Sequence, residues 1–167
     1  MGILVEAAGM IPQIERVAGP YSIPVFSSGG FDSLTVKKAL ADMVEREGRP
    51  SIFLHIGDLD PSGVCIFDSV KADVEAFLTG GQVDFERIVL TPEQVEQYEL
   101  PTAPAKRTDK RGAGVEDTCQ AEALAPDILA GIVQEAIERY TDPAVFRDDC
   151  EREIEDRKEL LAWVDEA

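Results

Sequence analysis

Histidine is nearly missing from this chain: His55 is the only one in 167 residues. Without a second imidazole, a zinc centre or a histidine-based catalytic triad has little support, and His55 itself, inside an apolar run, reads as a core residue. Cysteine is scarce as well. Cys65, Cys119 and Cys150 are an odd number without CxxC spacing, which speaks against a disulfide scaffold and suits a reducing, cytoplasmic setting. Cys65 is expected to pack within its helix. Positive charge is in short supply: 16 Lys and Arg stand against 33 Asp and Glu, a formal net charge of −17. That balance is awkward for a nucleic-acid protein, which more often shows a basic face, and argues for local, metal-mediated contact rather than strong non-specific binding. No apolar run reaches the length of a membrane span, no signal-peptide pattern is present, and there are no repeats or low-complexity tracts.

What is there is a hydrophobic share of 44 %, enough for one good core at this length. Short apolar runs alternate with stretches of helical period. Gly2-Ile-Leu-Val5 leads into Glu6, after which Met10, Ile14, Val17 and Ala18 recur at helical spacing. Ile23-Pro-Val-Phe26 closes on the loop Ser27-Ser28-Gly29-Gly30, followed by a helix with Leu34, Ala39, Leu40 and Met43 among its apolar positions. A third run, Ser51–Ile56, ends in Gly57-Asp58-Leu59-Asp60-Pro61-Ser62-Gly63, and a helix runs from there to about residue 78. Ile88-Val-Leu90 ends a fourth strand at Thr91-Pro-Glu-Gln94, the form of a capping box. This alternation predicts an α/β, Rossmann-like fold: a mainly parallel sheet with flanking helices over residues 1–100. A basic loop or linker over 101–119 and a helical extension over 120–167 follow.

In such a sheet the first three strands deliver Glu6, the Ser27–Gly30 loop and the Asp58/Asp60 pair to one edge, where open α/β sheets bind ligands. Two carboxylates one residue apart repel unless a cation lies between them, and hard oxygen ligands suit Mg²⁺ or Mn²⁺. The competing reading is local. Asp60 before Pro61 is a favoured helix cap, with Asp58 as a turn residue. Gly29 and Gly30 allow close backbone approach to a phosphate, or form an ordinary tight loop.

Taken together, Glu6 after the first strand, the glycine-containing loop after the second and Gly-Asp-Leu-Asp-Pro-Ser-Gly after the third resemble a Toprim domain. The Asp-x-Asp-Pro-x-Gly form, Ser28-Gly-Gly-Phe-Asp-Ser33 and Leu100-Pro-Thr-Ala-Pro-Ala-Lys-Arg-Thr-Asp109 are most similar to the A subunit of topoisomerase VI and its relatives. The resemblance covers about residues 2–125. It implies that Glu6, Asp58 and Asp60 form an acidic, catalytic triad. The aspartates would hold Mg²⁺, and Glu6 would complete the metal site or act as general acid/base in cleaving and rejoining nucleic-acid phosphodiesters, DNA above all. The chain departs from the pattern in three places. Tyr21, Tyr98 and Tyr140 all follow Glu6, so no nucleophilic tyrosine precedes it. Ala7 stands where some relatives carry a basic residue, and Ser62 stands at the third acidic position of bacterial topoisomerases. Either a preceding domain is missing, or this is a small Toprim protein with another job. A phosphatase or phosphotransferase, and a non-catalytic metal-dependent binding module, are the alternatives from other classes.

A quarter of the positive charge falls within six positions, at Lys106, Arg107, Lys110 and Arg111. This segment either follows a phosphate backbone beside the metal or is a solvated linker. Asp109, Arg111 and Glu122 are further candidates for the site's edge, which spacing alone does not place. Ala123, Leu124, Ile128, Ile132, Val133, Ala136, Ile137 and Tyr140 make an amphipathic stripe, and a charged helix from Pro143 to Asp165 is expected to pack on the sheet. Trp163 near its end marks a partner contact if it is exposed.

Overall fold

A computed structural model of the chain describes residues 1–27, 33–105 and 117–165. Strands β1 (Gly2–Val5), β2 (Val25–Ser27), β3 (Ser51–Ile56) and β4 (Val83–Val89) form one sheet in the order β2-β1-β3-β4, every pair parallel. Helices α1 (Ile11–Ala18), α2 (Leu34–Glu47) and α3 (Pro61–Phe77) make the crossovers that parallel strands require. The result is the expected Rossmann-like α/β sheet with helices on both faces. Beyond it lie α4 (Pro92–Gln97), the short antiparallel pair β5 (Ala103–Pro104) and β6 (Asp117–Thr118), then α5 (Pro126–Arg139) and α6 (Pro143–Asp165).

Side-chain alternation along the strands divides the core in two. Ile3, Val5, Leu54 and Ile56 face α1 and α5, meeting Ile14, Ala18, Leu129, Val133 and Ile137. Leu4 and Phe53 face α2 and α3, meeting Leu40, Ala41, Val44, Val70 and Val74. All four residues of β1 are buried because both faces are covered. Phe53 is central on the second face, with Phe26 edge-on at 6.4 Å and Phe85 stacked at 5.4 Å. Burying such a side chain contributes about 1.5–3 kcal/mol. Gly48, at φ 62°, ends α2 in the left-handed conformation that glycine adopts without penalty. The Thr91 capping box forms as its sequence predicts.

The buried face of α2 is Lys37, Leu40, Ala41 and Val44, while Leu34 and Ala39 are exposed. Other expectations need correction. Cys65 lies on the exposed side of α3 because Pro61, Gly63, Val70 and Val74 make its buried face. In α5 the inward positions include Leu129, and Tyr140 points outward to hydrogen-bond Glu86. Helix α6 does not pack on the sheet. Only its first turns meet the body, through Phe146 stacked on Tyr21 at 4.7 Å, and Trp163 is 75 % exposed.

Among the described residues Lys37 is the one buried lysine, arginine or acidic side chain, at 4 % exposure. Its ammonium ties α2 to α3, donating to Ser69 Oγ at 2.8 Å and Asp73 Oδ2 at 2.6 Å. Asp73 keeps solvent access, so losing the pair strands no buried charge, while the stem of Lys37 fills space between the helices. Lys37→Met should therefore cost less than about 1.5 kcal/mol. Lys37→Ala, which also empties that space, should cost about 2–3 kcal/mol. Urea denaturation of both variants measures the difference, and equal losses would mean that the charge rather than the stem matters.

Candidate functional site

Because β1 and β3 are adjacent and parallel, Glu6 leaves β1 beside the point where β3 runs into Gly57 and Asp58. The ladder continues past the strand ends: Glu6 N–H donates to the Ile56 carbonyl at 2.8 Å, and Gly57 exchanges 2.8 Å bonds with Val89 and Leu90. Glu6 Oε2 accepts from the Asp58 N–H at 3.2 Å. Asp58 Oδ1 accepts from the Ala121 N–H at 2.8 Å, and Asp60 Oδ1 from the Gly63 N–H at 2.6 Å. All three carboxylates are partly exposed on one edge of the sheet. The arrangement at Asp60 is a helix cap, with Pro61 at the first position of α3. Each carboxylate thus spends one oxygen on a backbone N–H that would otherwise lack a partner.

Two glycines make the crowding possible. A Cβ on Gly57 would overlap Glu6 Oε2 and stand 2.7 Å from His55 Cε1. One on Gly63 would stand 2.7 Å from the Asp58 carbonyl, 3.1 Å from Glu6 Oε2 and 3.4 Å from Asp60 Oδ1. The Glu6 carboxylate lies in the space that these two missing side chains leave.

Arg87, in β4, lies behind the cluster. Its guanidinium donates to the carbonyls of Leu90 at 3.1 Å, Gly57 at 3.0 Å, Gly63 at 3.4 Å and, very closely, Asp58. Burial lowers its pKa, and the charges of Glu6, Asp58, Asp60 and Asp68 pull the other way. The pKa of Glu6 is raised, first by burial and then by the charge of Asp58, against the Asp58 N–H that favours the anion. A carboxyl group displaced upward in this way holds a proton nearer neutrality than a free one.

The C-terminal third reaches the same edge. Leu59 and Cys119 exchange backbone bonds of 2.9 Å in an antiparallel bridge, and the turn at Ala121 supplies the N–H that Asp58 accepts. Exposed Glu122 follows directly. The described chain breaks off at Ala105 and resumes at Asp117, with β5 and β6 paired beside these ends. Ser28, Gly29 and Gly30, and Lys106, Arg107, Asp109, Lys110 and Arg111, lie outside the described residues.

The carboxylates present are of the oxygen-donor type that a hard divalent cation takes. Glu6 Oε2 lies in a cradle that a Cβ at Gly57 would fill, and His55 beside it has both ring nitrogens buried without a partner. The two aspartates, turned to backbone N–H groups, are not drawn around one point. Among the described residues no three Asp, Glu, His or Cys side chains converge as a ready metal cage. Sequence reasoning named the three carboxylates and missed Arg87, because an arginine in an alternating strand ordinarily faces water. It quoted Gly57 and Gly63 within the motif without giving them a role. No family model, curated protein or solved structure matches the chain, and none of the described helices is long and apolar enough to cross a membrane.

Two outcomes test this geometry. Asp60→Asn keeps an oxygen for the Gly63 N–H and should leave stability within about 0.5 kcal/mol, whereas Asp60→Ala should lose about 1 kcal/mol in urea melts. For Glu6, the raised pKa means that the folded chain binds a proton which the unfolded chain releases. Its contribution to stability therefore falls as pH rises from the ordinary value of 4.5 through the folded value. Glu6→Gln should be more stable than the parent at pH 7, and that gain should vanish below pH 4.5. A variant less stable at pH 7 would mean that the carboxylate's hydrogen bond outweighs its burial.

Proposed function

We propose that this chain is a Toprim-like domain, of the kind found in the topoisomerase VI A subunit, that acts with a divalent ion on nucleic-acid phosphodiesters, DNA in particular, in the cytoplasm. The observation that carries the reading is that adjacent parallel strands deliver Glu6, Asp58 and Asp60 to one sheet edge, with Glu6 bonded to the Asp58 N–H, although the three side chains are not drawn around one point.

In this reading Glu6, Asp58 and Asp60 are the residues that would hold Mg²⁺ or Mn²⁺. When bound, the ion supplies neutralisation of phosphate charge, orientation of the scissile group and stabilisation of a developing alkoxide. The chain's own residues do the rest. Glu6, with its raised pKa, is the group on this edge suited to hold or accept a proton. Arg87 fixes the backbone of Gly57, Asp58 and Gly63, and so fixes where the carboxylates stand.

The basic residues Lys106, Arg107, Lys110 and Arg111 extend the proposal to the phosphate backbone. Support comes from their flanks: β5 and β6 pair at the two ends of the segment, and β6 runs into Cys119, which is bridged to Leu59 between the two aspartates. With a net charge of −17, contact with DNA is local and ion-assisted rather than spread over a cationic face. A phosphatase would be expected to place its nucleophilic aspartate after the first strand, where Glu6 stands.

Nicking of supercoiled plasmid, with and without Mg²⁺ or Mn²⁺, and hydrolysis of a small phosphoester test the reading side by side. DNA cleavage that depends on the ion and is lost in Asp58→Asn and Asp60→Asn, with folding intact, is the expected result. Hydrolysis of the small ester alone would replace it with the phosphatase, and ion-dependent DNA binding without cleavage with the binding module. For the basic segment, replacing all four residues with Ala should weaken DNA binding and reduce the log–log salt slope by up to about 3 to 4. Metal affinity should hardly change. An unchanged slope would make the segment a linker.

A further inference from the structure

Helix α6 begins on the body and then leaves it. Phe146 is half-buried against Tyr21, and Cys150, one turn further, is half-buried as well. From Glu151 to Val164 every residue is exposed, a length of about 20 Å at 1.5 Å per residue. Helices in proteins are held mostly by packing of an apolar face, and a stretch this short holds little helix of its own in water. Such a face is present. Phe146, Cys150, Ile154, Arg157, Leu161 and Val164 follow one another at intervals of four, four, three, four and three, which places them on one side of the helix. The side that seats Phe146 on the body thus continues beyond it as an apolar stripe, interrupted only by Arg157.

The borders of the stripe say what chemistry would cover it. Along one border run Val145, Asp149, Glu153 and Asp156, followed by Leu160 and Trp163; along the other run Arg147, Glu151 and Lys158. The first border holds three carboxylates and no basic residue. Asp149 shares its charge with Arg152 of its own helix at 3.2 Å, an exposed pair that contributes little. This border starts at an open cavity of about 650 Å³ under the first turns of α6, where Val145 and Asp149 line the wall with Tyr21, Asp84 and Asp142. Arg49, the one Lys or Arg among the described residues lining that cavity, is held by Glu47 at 3.3 Å. The surface is therefore acidic from the cavity to Asp156 and apolar beside and beyond it.

We propose that the outer part of α6 is a docking surface for a basic amphipathic helix of another protein. The partner's apolar side lies along Ile154, Leu161 and Val164, its lysines or arginines face Asp149, Glu153 and Asp156, and Trp163 is the aromatic anchor. A second copy of this chain fits less well. It brings its own net charge of −17 and sets against those three carboxylates only the mixed border of Arg147, Glu151 and Lys158. An anionic membrane is the wrong sign for a helix that carries eight acidic residues against four basic ones.

Trp163 is the only tryptophan of the chain, so its fluorescence reports directly on coverage of this surface. The probe is a synthetic helical peptide with leucines at the spacing of the stripe and lysines on both flanks. A scrambled peptide of the same composition and a version with glutamates in place of the lysines are the controls. Titrated into the full-length chain, the lysine peptide should shift the Trp163 emission to the blue. Both controls should bind at least about ten-fold more weakly, and the preference should shrink as salt rises. Ile154 and Leu161 are 54 % and 60 % exposed, so Ile154→Ser with Leu161→Ser leaves the body folded and should lose at least about ten-fold in affinity. Asp149→Lys, Glu153→Lys and Asp156→Lys together should transfer the preference to the glutamate peptide, a gain of binding that unfolding does not produce. Equal binding of the lysine peptide and its scrambled form would overturn the proposal, since charge alone would then suffice. So would the absence of any shift. A blue shift on concentrating the chain by itself, with a dimer in sedimentation, would give the surface to a second copy instead.

Discussion

The acidic edge exists because one guanidinium holds together the backbone that carries it. Three carboxylates within reach of one another repel, and a loop bearing two of them has every electrostatic reason to open. Arg87 counters this in two ways. Its charge lies beneath the cluster, and its planar fork reaches carbonyls on both sides of the Asp58–Asp60 turn and at the end of its own strand. A lysine has the charge but not the fork, so it could not span these carbonyls in one fixed geometry. Every other element of the site is placed relative to this arrangement: the cap on α3, the Glu6 carboxylate over Gly57, and the Leu59–Cys119 bridge.

Much of this was legible in the sequence, for a simple physical reason. Strand–helix alternation implies parallel strands, and parallel strands bring their carboxyl ends to one side. Glu6, Asp58 and Asp60 could therefore be placed on a common edge before any coordinates. The two readings of Asp60, ion ligand and helix cap, were both visible, and the cap is what the backbone geometry realises. A ligand role is compatible with it, since a cap uses one oxygen of two. Arg87 was illegible because an arginine in an alternating strand ordinarily faces water, and only the tertiary neighbours reveal that this one turns inward. The same limit hid the partnerless ring of His55, which periodicity marks simply as buried. Helix α6 defeated the expectation for a different reason. Its charge pattern fits a helix resting on a sheet as well as one leaving it, and the difference lies in where the sheet ends.

Charge is unevenly used in this molecule. Glu45 illustrates the economy: its carboxylate accepts from the N–H groups of Thr79, Gly80 and Gly81 and from the Thr79 hydroxyl, which hold its pKa down to about 2. It fastens the loop between α3 and β4 to α2 as an anion in a backbone nest. Glu6 is the opposite case, a carboxylate given one N–H and crowded by burial and like charge. Two glutamates of one chain are thus tuned in opposite directions, one to stay ionised as structure and the other to remain responsive.

The bond from the Ala121 N–H to Asp58 spans 63 positions of sequence. A chain emerging from its N-terminus can lay down β1, β3 and β4 and bring Glu6 beside Asp58 well before residue 121 exists. Until then the Asp58 carboxylate lacks its final partner, and Leu59 lacks the strand-like neighbour that Cys119 provides. Closing so long a loop costs entropy that only the later docking of α5 on α1 and β4 repays. Completion of the acidic edge therefore waits on residues made well after those that carry its carboxylates.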